Sequence, residues 1–309
     1  MAGKKILSRK EFLKKSASIL IGASALGNKK GIPQSKILPG KSTSTRILGR
    51  TDLKVTPLGY GASRTMEPSL VEHALNKGIN FFDTGRSYFQ GRNEMMVGKI
   101  LKEKRHSVVI QSKISLRIRE SGEELKISSV RERIHKDMSA SLEASLKALQ
   151  TDLIDIMLLH GVRSEEILHH ESILSFFEKA KKDGKIRAHG FSSHANSVAV
   201  LRASVDRGFY DVAMIPYNHK GSYVHSQSGR YSEWDQEALE KELEKASQKN
   251  MGLIAMKTCS AGPLSPKKGG TPSFLEALKW VIDRPAVHTS AVAMANFSEI
   301  EEDTSAMFS

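Results

Sequence analysis

The sequence predicts a (β/α)₈ barrel over residues 46–309, and three observations lead to this fold. Eight short runs rich in Ile, Val, Leu and Met recur along the chain, and several lack the alternation of half-buried strands. Segments with apolar residues three or four positions apart lie between them, as in helices that cover a parallel sheet. The length suits one barrel or two smaller domains. A doubly wound open sheet is the alternative, but it rarely sustains eight such regular units.

The elements follow in order after a short N-terminal hairpin. Residues 46–55 form two brief alternating runs around Gly49-Arg50-Thr51-Asp52, which predict a β-hairpin. The apolar runs predict strands at 58–62, 79–82, 108–110, 154–159, 186–191, 212–215, 253–256 and 291–293. The helical spacing predicts helices at about 69–76, 93–102, 130–149, 171–182, 197–207, 236–249 and 273–283.

The first 45 residues differ in composition from the rest. They contain ten Lys or Arg and one acid, Glu11, and so hold +9 of the formal net charge of +13. The basic start, the apolar stretch 17–26 and the small-residue site Ala23-Ser24-Ala25 predict an export leader over 1–25, followed by a linker over 26–45. The apolar stretch is too short for a stable transmembrane segment, which needs roughly 20 residues.

Residues 8–14, Ser-Arg-Lys-Glu-Phe-Leu-Lys, resemble the twin-arginine export motif, with Lys10 in place of the second arginine. We therefore expect an exported, periplasmic protein with the twin-arginine machinery as a partner. If the leader is not functional, we expect a cytoplasmic protein. A basic amphipathic helix that lies on the domain or on a membrane surface is the alternative interpretation of this segment.

Composition also narrows the classes of partner. Beyond residue 45, 37 basic and 33 acidic residues leave only +4, without a basic stripe interleaved with aromatics, so we expect no nucleic-acid partner. The single cysteine, Cys259, excludes an internal disulfide, a thiolate zinc site and a four-cysteine iron–sulfur cluster in this sequence. A packing role for Cys259 is favoured over that of a redox-sensitive thiol.

Polar residues capable of proton transfer follow neighbouring strands. In a (β/α)₈ barrel chemistry is built at the carboxyl ends of the strands. Asp83 and Tyr88 follow the second strand, Lys113 ends the third and His160 ends the fourth. A nearby ammonium favours the phenolate and is expected to lower the pKa of Tyr88 from about 10. The set can protonate a developing alkoxide but supplies no reductant, so a hydride carrier is implied.

These motifs resemble the aldo-keto reductase family, particularly its bacterial members, over roughly residues 46–303. The matching stretches include 48–59, 83–94, 141–152 with 158–161, and 184–192. The resemblance implies an enzyme that reduces an aldehyde or ketone substrate with NADP, with NAD as the alternative cofactor. It makes Tyr88 the proton donor, Asp83 and Lys113 the pair that lowers its pKa, and His160 the residue that orients the carbonyl.

The resemblance also implies cofactor contacts on the other strands. Ser192, Ser193 and Asn218 match the residues that hold the nicotinamide carboxamide, although Asn is more usual than Ser at 193. Met256, Lys257, Gly262 and Leu264 match the loop beside the pyrophosphate. Met294, Asn296, Glu299 and Asp303 match the adenosine end of the site.

Two departures bear on these expectations. Glu299 and Glu302 would repel the 2′-phosphate of NADP if they faced it, which keeps NAD open as the cofactor. The chain also ends at Ser309, just inside the eighth helix, so a short or truncated eighth helix is expected to pack poorly.

Two other functions remain open. A non-catalytic nicotinamide-nucleotide-binding barrel is the first, although the complete set of four residues argues against it. A metal-dependent hydrolase is the second, motivated by His160, His189, His194 and His219, but no metal site is expected because the first and last strands lack the usual ligands. The sequence does not identify the substrate, and residues 219–234 form either a pocket wall or a plain surface loop.

Overall fold

A computed structural model describes residues 44–118, 121–225, 229–260, 262 and 274–308. The predicted leader, almost all of the linker, and Leu264 lie outside these residues, so the export prediction stays a prediction. Among the helices that the structure describes, none combines the length and apolar composition needed to cross a membrane.

A two-stranded hairpin precedes the barrel, as predicted. Strands β1 and β2 pair antiparallel, with Arg46 opposite Val55, and are β1 Arg46–Ile47 and β2 Lys54–Val55. Gly49 has φ of +55°, and a Cβ there would overlap the backbone of Gly252, so the turn needs glycine. Leu48 and Leu53 are buried with residues of the barrel interior, so the hairpin packs against the barrel.

Eight parallel strands close into a barrel in the order β11-β12-β3-β4-β5-β6-β7-β8. This confirms the predicted fold. The barrel strands are β3 Leu58–Gly61, β4 Phe81–Asp83, β5 Val109–Ile114, β6 Ile154–Leu159, β7 Ile186–Ser192, β8 Val212–Pro216, β11 Gly252–Met256 and β12 Thr289–Val292. Each overlaps one of the eight apolar runs.

Helices cover the barrel at the predicted positions. They are α1 Pro68–Asn76, α2 Arg92–Leu101, α3 Ser128–Leu149, α4 Glu165–Leu168, α5 Glu171–Lys182, α6 Ser197–Arg207, α7 Gln236–Gln248, α8 Leu275–Ile282 and α9 Phe297–Thr304. In α3 the apolar positions of the predicted face, from Val130 to Leu149, are all buried. The short α4 was not predicted, because its single turn is too brief to display a helical period.

A second hairpin lies in the segment that the sequence left open. Strands β9 and β10 pair antiparallel, with Tyr223 opposite Ser232, and are β9 Ser222–Val224 and β10 Tyr231–Glu233. The Tyr223 hydroxyl donates to the carbonyl oxygen of His194 at 3.1 Å. This hairpin therefore lies at the carboxyl end of β7 and is more than a plain surface loop.

The expectation that the eighth barrel helix packs poorly is wrong. In α9, Ile300 and Asp303 are fully buried. Glu301 pairs with Lys77 at 2.6 Å at the end of α1. The ring centroids of Phe297 and His73 lie 5.0 Å apart, and the two rings are nearly perpendicular. The reason is barrel closure: β12 pairs with β3, which brings α1 beside α9 as a packing partner.

Candidate active site

The four predicted proton-transfer residues converge at the carboxyl ends of β4, β5 and β6. Asp83 ends β4, Lys113 lies near the end of β5, and His160 follows β6 directly. Parallel pairing sets Asp83 opposite Gln111 and Lys113 opposite Leu158, so the three strand ends lie side by side.

Asp83 and Lys113 form a buried ion pair with further hydrogen bonds on both partners. The Lys113 ammonium donates to Asp83 Oδ1 and to the carbonyl oxygen of Thr84 at 2.7 Å. Gln111 Nε2 donates to the same Asp83 oxygen at 2.6 Å. Burial opposes the charge of Lys113, but Asp83 and Tyr88 outweigh it and raise the pKa of the ammonium. Lys113 is therefore a fixed cation beside the phenol.

Tyr88 lies in a tight turn that holds its ring against this cation. The Lys113 Nζ lies 4.8 Å from the centroid of the Tyr88 ring. The next three residues, Phe89, Gln90 and Gly91, all have positive φ, which reverses the chain before α2 begins. Such backbone is uncommon outside functional sites and tight turns.

The expected net lowering of the pKa of Tyr88 is wrong for this structure. Burial raises the pKa of the phenol, and Lys113 opposes that rise while Asp83 adds to it. The sequence identified the direction of the Lys113 effect but could not weigh it against burial, because burial depends on the whole fold.

A buried hydrogen-bond network beneath the turn holds Tyr88 in place. Glu94, fully buried at the start of α2, accepts from the Arg86 guanidinium and from the Ser112 hydroxyl. The neighbouring Asn93 accepts from the Thr84 hydroxyl at 2.6 Å. These contacts tie both ends of the 83–94 motif to β5 and to each other. They explain why the motif extends beyond the reactive residues.

His160 sits across the site from Tyr88. The two rings are 6.0 Å apart, centroid to centroid, and meet edge to face. Burial, followed by Lys113 and Lys257, lowers the pKa of His160 to about 3, so the imidazole is neutral at ordinary pH. Its Nδ1 lies 3.0 Å from the Ser115 hydroxyl. A hydroxyl that donates to Nδ1 leaves the ring proton on Nε2, where it can be given to an acceptor.

A cavity of about 110 Å³ opens beside Tyr88 and Asp83. Besides those two residues, its wall comes from the ends of β3, β7, β8, β11 and β12 and from the second hairpin, with polar residues Ser63, Arg64, His194, Lys257, Thr258 and Ser260. Ser63 and Arg64 were not proposed as site residues, and His194 was considered only as a metal ligand. All three follow barrel strands, so the rule that found Tyr88 could have found them.

The residues predicted for the nicotinamide end lie on β7 and just after β8. Ser192 Oγ accepts from the backbone of Gly161 at 3.1 Å, and Ser193 Oγ donates to the carbonyl oxygen of Ala195 at 2.7 Å. The Asn218 amide donates to the carbonyl oxygens of Ser222 and Lys257, which connects the second hairpin to the loop after β11. All three predicted side chains are buried on the rim of the barrel.

The predicted pyrophosphate loop begins at the end of β11. Met256 and Lys257 line the cavity. Lys257 has φ of +62°, a conformation that non-glycine residues rarely adopt, and Gly262 has φ of +88°. Cys259 is buried and lines the same cavity, in agreement with a packing position.

The predicted adenosine end lies around the start of α9. Asn296 caps this helix by accepting from the Glu299 backbone at 2.8 Å. The Glu299 carboxylate is buried and accepts from the backbone of Ala295 at 2.8 Å. Met294 is buried and its carbonyl oxygen accepts from Tyr60, while Asp303 is fully buried. Glu299 thus binds the backbone just before its own helix, and the expected repulsion of a cofactor 2′-phosphate by Glu299 and Glu302 stays a prediction.

The four histidines of the hydrolase alternative do not come together. The ring centroids of His160 and His194 are 5.8 Å apart. The ring of His189 instead stacks on that of Phe209, with 4.5 Å between centroids, on the helix side of the barrel. His219 lies beside Trp280. Within the described residues, no group of three or more His, Cys, Asp or Glu could hold a metal ion. The hydrolase alternative therefore has no ligand cluster in this part of the chain.

The sequence model of the Aldo/keto reductase family matches residues 61–276. The chain belongs to the aldo/keto reductase family. The match spans the barrel from the end of β3 into α8, so it contains the four convergent residues.

Curated relatives match the chain at moderate sequence identity. The chain is 31% identical over 153 residues to "Uncharacterized oxidoreductase YqkF" of Bacillus subtilis, and this alignment covers 48% of each chain. It is 24% identical over 273 residues to a pyridoxal 4-dehydrogenase of Microbacterium luteolum, and this alignment covers 76% of each chain. The chain thus spans about half the length of the first relative and about three quarters of the second.

Solved structures share the fold. The holo form of aldo-keto reductase AKR11C1 from Bacillus halodurans aligns with a TM-score of 0.66 at 22% identity, covering 86% of this chain and 91% of that one. An aldo/keto reductase from Klebsiella pneumoniae in complex with NADP and acetate aligns with a TM-score of 0.60 at 22% identity, covering 85% and 89%.

Proposed function

We propose that this protein reduces an aldehyde or ketone to an alcohol with NADPH, and that Tyr88 gives the proton. The observation that carries the proposal is the buried Asp83–Lys113 pair, with its ammonium against the Tyr88 ring and a neutral His160 across the site. Packing alone does not require a phenol, an ion pair and an imidazole at adjacent strand ends.

The residues that the family resemblance assigns to the nicotinamide carboxamide lie on the rim. Ser192 and Ser193 at the end of β7 and Asn218 after β8 are buried, and their side chains bind neighbouring backbone groups. The loop that starts at Lys257 adds positive charge suited to phosphate oxygens. The NADP complex of the Klebsiella pneumoniae relative supports the choice of cofactor. NADPH, when bound, supplies the hydride that the protein itself lacks.

Each of the four residues then has a distinct role. The Tyr88 hydroxyl donates its proton to the carbonyl oxygen as negative charge develops there. The Lys113 ammonium stabilises the phenolate that is left, and Asp83 keeps Lys113 in position. The neutral His160 donates a hydrogen bond that orients the carbonyl oxygen. With the hydride that NADPH would supply at the carbonyl carbon, the Tyr88 proton on the oxygen would complete the conversion of an aldehyde into a primary alcohol.

The test combines binding with turnover on the full chain. Protein fluorescence would follow titration with NADPH and with NADH, and NADPH absorbance would follow reduction of a panel of aldehydes. We expect tighter binding of NADPH than of NADH and aldehyde-dependent oxidation of NADPH. Binding without turnover of any aldehyde or ketone would instead favour a non-catalytic nucleotide-binding barrel. An absence of binding to either nucleotide would refute both functions.

A further inference from the structure

A groove of about 690 Å³ lies between helices α2 and α3, near the start of α1, and is here called the α2–α3 groove. Its lining is mainly apolar and includes Met66, Met95, Met96, Ile100, Ala144 and Ala148. It shares no lining residue with the cavity beside Tyr88. The groove is therefore separate from the candidate active site.

Close packing of two helices sets the position of the groove. A Cβ at Gly98 of α2 would lie 2.5 Å from the backbone of Leu149 in α3, so only glycine permits this approach. Residues that line the groove flank this contact, with Lys99 next to Gly98 on α2 and Ala148 next to Leu149 on α3. The concavity thus belongs to the helical framework and not to a loop.

The apolar wall of the groove is left open to solvent. Met66 is 38% exposed and Met95 is 58% exposed, although burial of large apolar side chains is favourable. Met96 lies beside them and is buried. Methionine side chains are unbranched and flexible, so they adapt to ligands of different shape. A concave, largely apolar site of several hundred Å³ is typical of small-molecule binding.

The charged residues of the described lining are all cations, namely Arg86, Lys99 and Lys147. Arg86 is already bound to Glu94. The two lysines are exposed, and neither forms an ion pair with a described carboxylate. Glu143, one turn earlier on α3, binds Lys185 instead. The groove thus combines two unpaired ammonium groups with an apolar wall, which complements an anion on an apolar body.

The same charge disfavours two other occupants. Residues 1–45 carry +9, so this segment would bring like charge to the lysines. A second copy in two-fold contact presents the same patch from both sides, which would set the lysines of one protomer against those of its partner. Neither occupant offers the negative charge that the groove complements.

We propose that the α2–α3 groove binds a free anionic amphiphile of the medium-chain fatty acid class. The hydrocarbon chain lies along the methionines, and the carboxylate is held by Lys99 and Lys147. This site is independent of the proposed carbonyl reduction, because the groove and the cavity beside Tyr88 have no residue in common. The amphiphile and NADPH should therefore bind at the same time.

The experiment measures binding of decanoate, octanoate and 1-decanol to the full chain by calorimetry, below the concentration at which each ligand aggregates. Decanoate should bind about tenfold more tightly than 1-decanol, which corresponds to about 1.4 kcal/mol. It should also bind about tenfold more tightly than octanoate, because two fewer CH₂ groups are buried. Saturating NADPH should leave the affinity for decanoate unchanged.

Variants separate the charged part of the site from the apolar part. Lys99→Met/Lys147→Met should weaken decanoate about tenfold and leave 1-decanol within about twofold. Lys136→Met/Lys182→Met is the matched control, because it removes two exposed lysines that do not line the groove.

The apolar wall has its own matched pair of variants. Met95→Gln should weaken decanoate and 1-decanol equally, since it replaces an apolar wall that both ligands contact. Ile127→Gln replaces a similarly exposed apolar side chain outside the groove and should change neither affinity.

Several results would overturn the proposal. Equal affinities for decanoate and 1-decanol, or no effect of Lys99→Met/Lys147→Met on decanoate, would show that the lysines hold no carboxylate. Competition between decanoate and NADPH would place the ligand in the candidate active site. Three results without decanoate binding would indicate another occupant: attachment to phosphatidylglycerol vesicles a membrane surface, a dimer dissociated by Met95→Gln a second copy, and binding of a peptide that copies residues 1–30 the leader.

Discussion

The two halves of the barrel rim differ in how their charges are balanced. On the half built from β4, β5 and β6, the Lys113 cation is matched by the Asp83 carboxylate, and Gln111 supports the pair. On the half built from β3, β7 and β11, Arg64 acts on Lys257 as a like charge. The first half is therefore organised by an ion pair within the protein, whereas in the second half the charge of Arg64 disfavours the charged form of Lys257.

Removing the cation of the balanced half should produce the largest effect. Lys113→Met leaves the Asp83 carboxylate buried without its counter-charge, which is expected to lower the free energy of unfolding by about 3–5 kcal/mol. Urea denaturation followed by circular dichroism measures this loss. The double variant Asp83→Asn/Lys113→Met should recover part of it. A loss below about 1 kcal/mol for Lys113→Met would show that the pair does not organise this half.

Weakening the buried hydrogen-bond network beneath Tyr88 should give the next largest effect on stability. Glu94→Gln removes a buried charge that accepts from Arg86 and Ser112, so we expect a loss of about 2 kcal/mol in the free energy of unfolding. Turnover should fall as well, because the Tyr88 turn is attached to this network. Binding of NADPH should change little. Unchanged turnover in a destabilised variant would show that the network does not position Tyr88.

Removing a cation from the half built from β3, β7 and β11 should have the opposite effect and raise the free energy of unfolding. The pKa of Lys257 is lowered to about 8 from 10.5, so its charged form opposes folding. Stability of the wild-type chain should rise with pH between about 8 and 10.5, relative to Lys257→Met, as the unfolded chain retains a proton that the folded chain has lost. Below pH 8, Lys257→Met should be the more stable chain by chemical denaturation. A variant less stable than wild type at pH 7 would contradict the charge imbalance.

The smallest effect on stability is expected from a substitution in the turn that follows Tyr88. Gly91 has φ of +84°, and a Cβ there would overlap the Arg86 guanidinium. Gly184 has φ of +71°, and a Cβ there would meet nothing within 4 Å, so Gly184→Ala is the matched control for backbone strain. Each Ala should cost about 1 kcal/mol through φ. Only Gly91→Ala should also lower turnover. Equal turnover in both variants would show that the turn does not position Tyr88.

Much of the fold could be predicted from the sequence because its signals are local. Parallel strands buried on both faces appear as short apolar runs, and α3 repeats its apolar residues at helical spacing from Val130 to Leu149. The rule that polar residues at strand ends build the site brought Asp83, Tyr88, Lys113 and His160 together, and the structure places them so. These inferences needed no knowledge of distant contacts.

The features that were missed depend on contacts between distant parts of the chain. The direction of the pKa shift of Tyr88 follows from its burial, which only the closed barrel determines. The packing of α9 follows from the pairing of β12 with β3. The second hairpin is polar and short, and the bond from Tyr223 to His194 helps to hold it at the rim.

The most direct test of the central claim is turnover of Tyr88→Phe with NADPH and an aldehyde that the wild-type chain reduces. The substitution removes one hydroxyl oxygen and keeps the ring against Lys113, so NADPH binding and the free energy of unfolding should change little. We expect kcat to fall by about 10²–10⁴-fold, the range attributed to a positioned general acid. An unchanged kcat, with the cofactor still bound, would contradict the role of Tyr88 and the mechanism built on it.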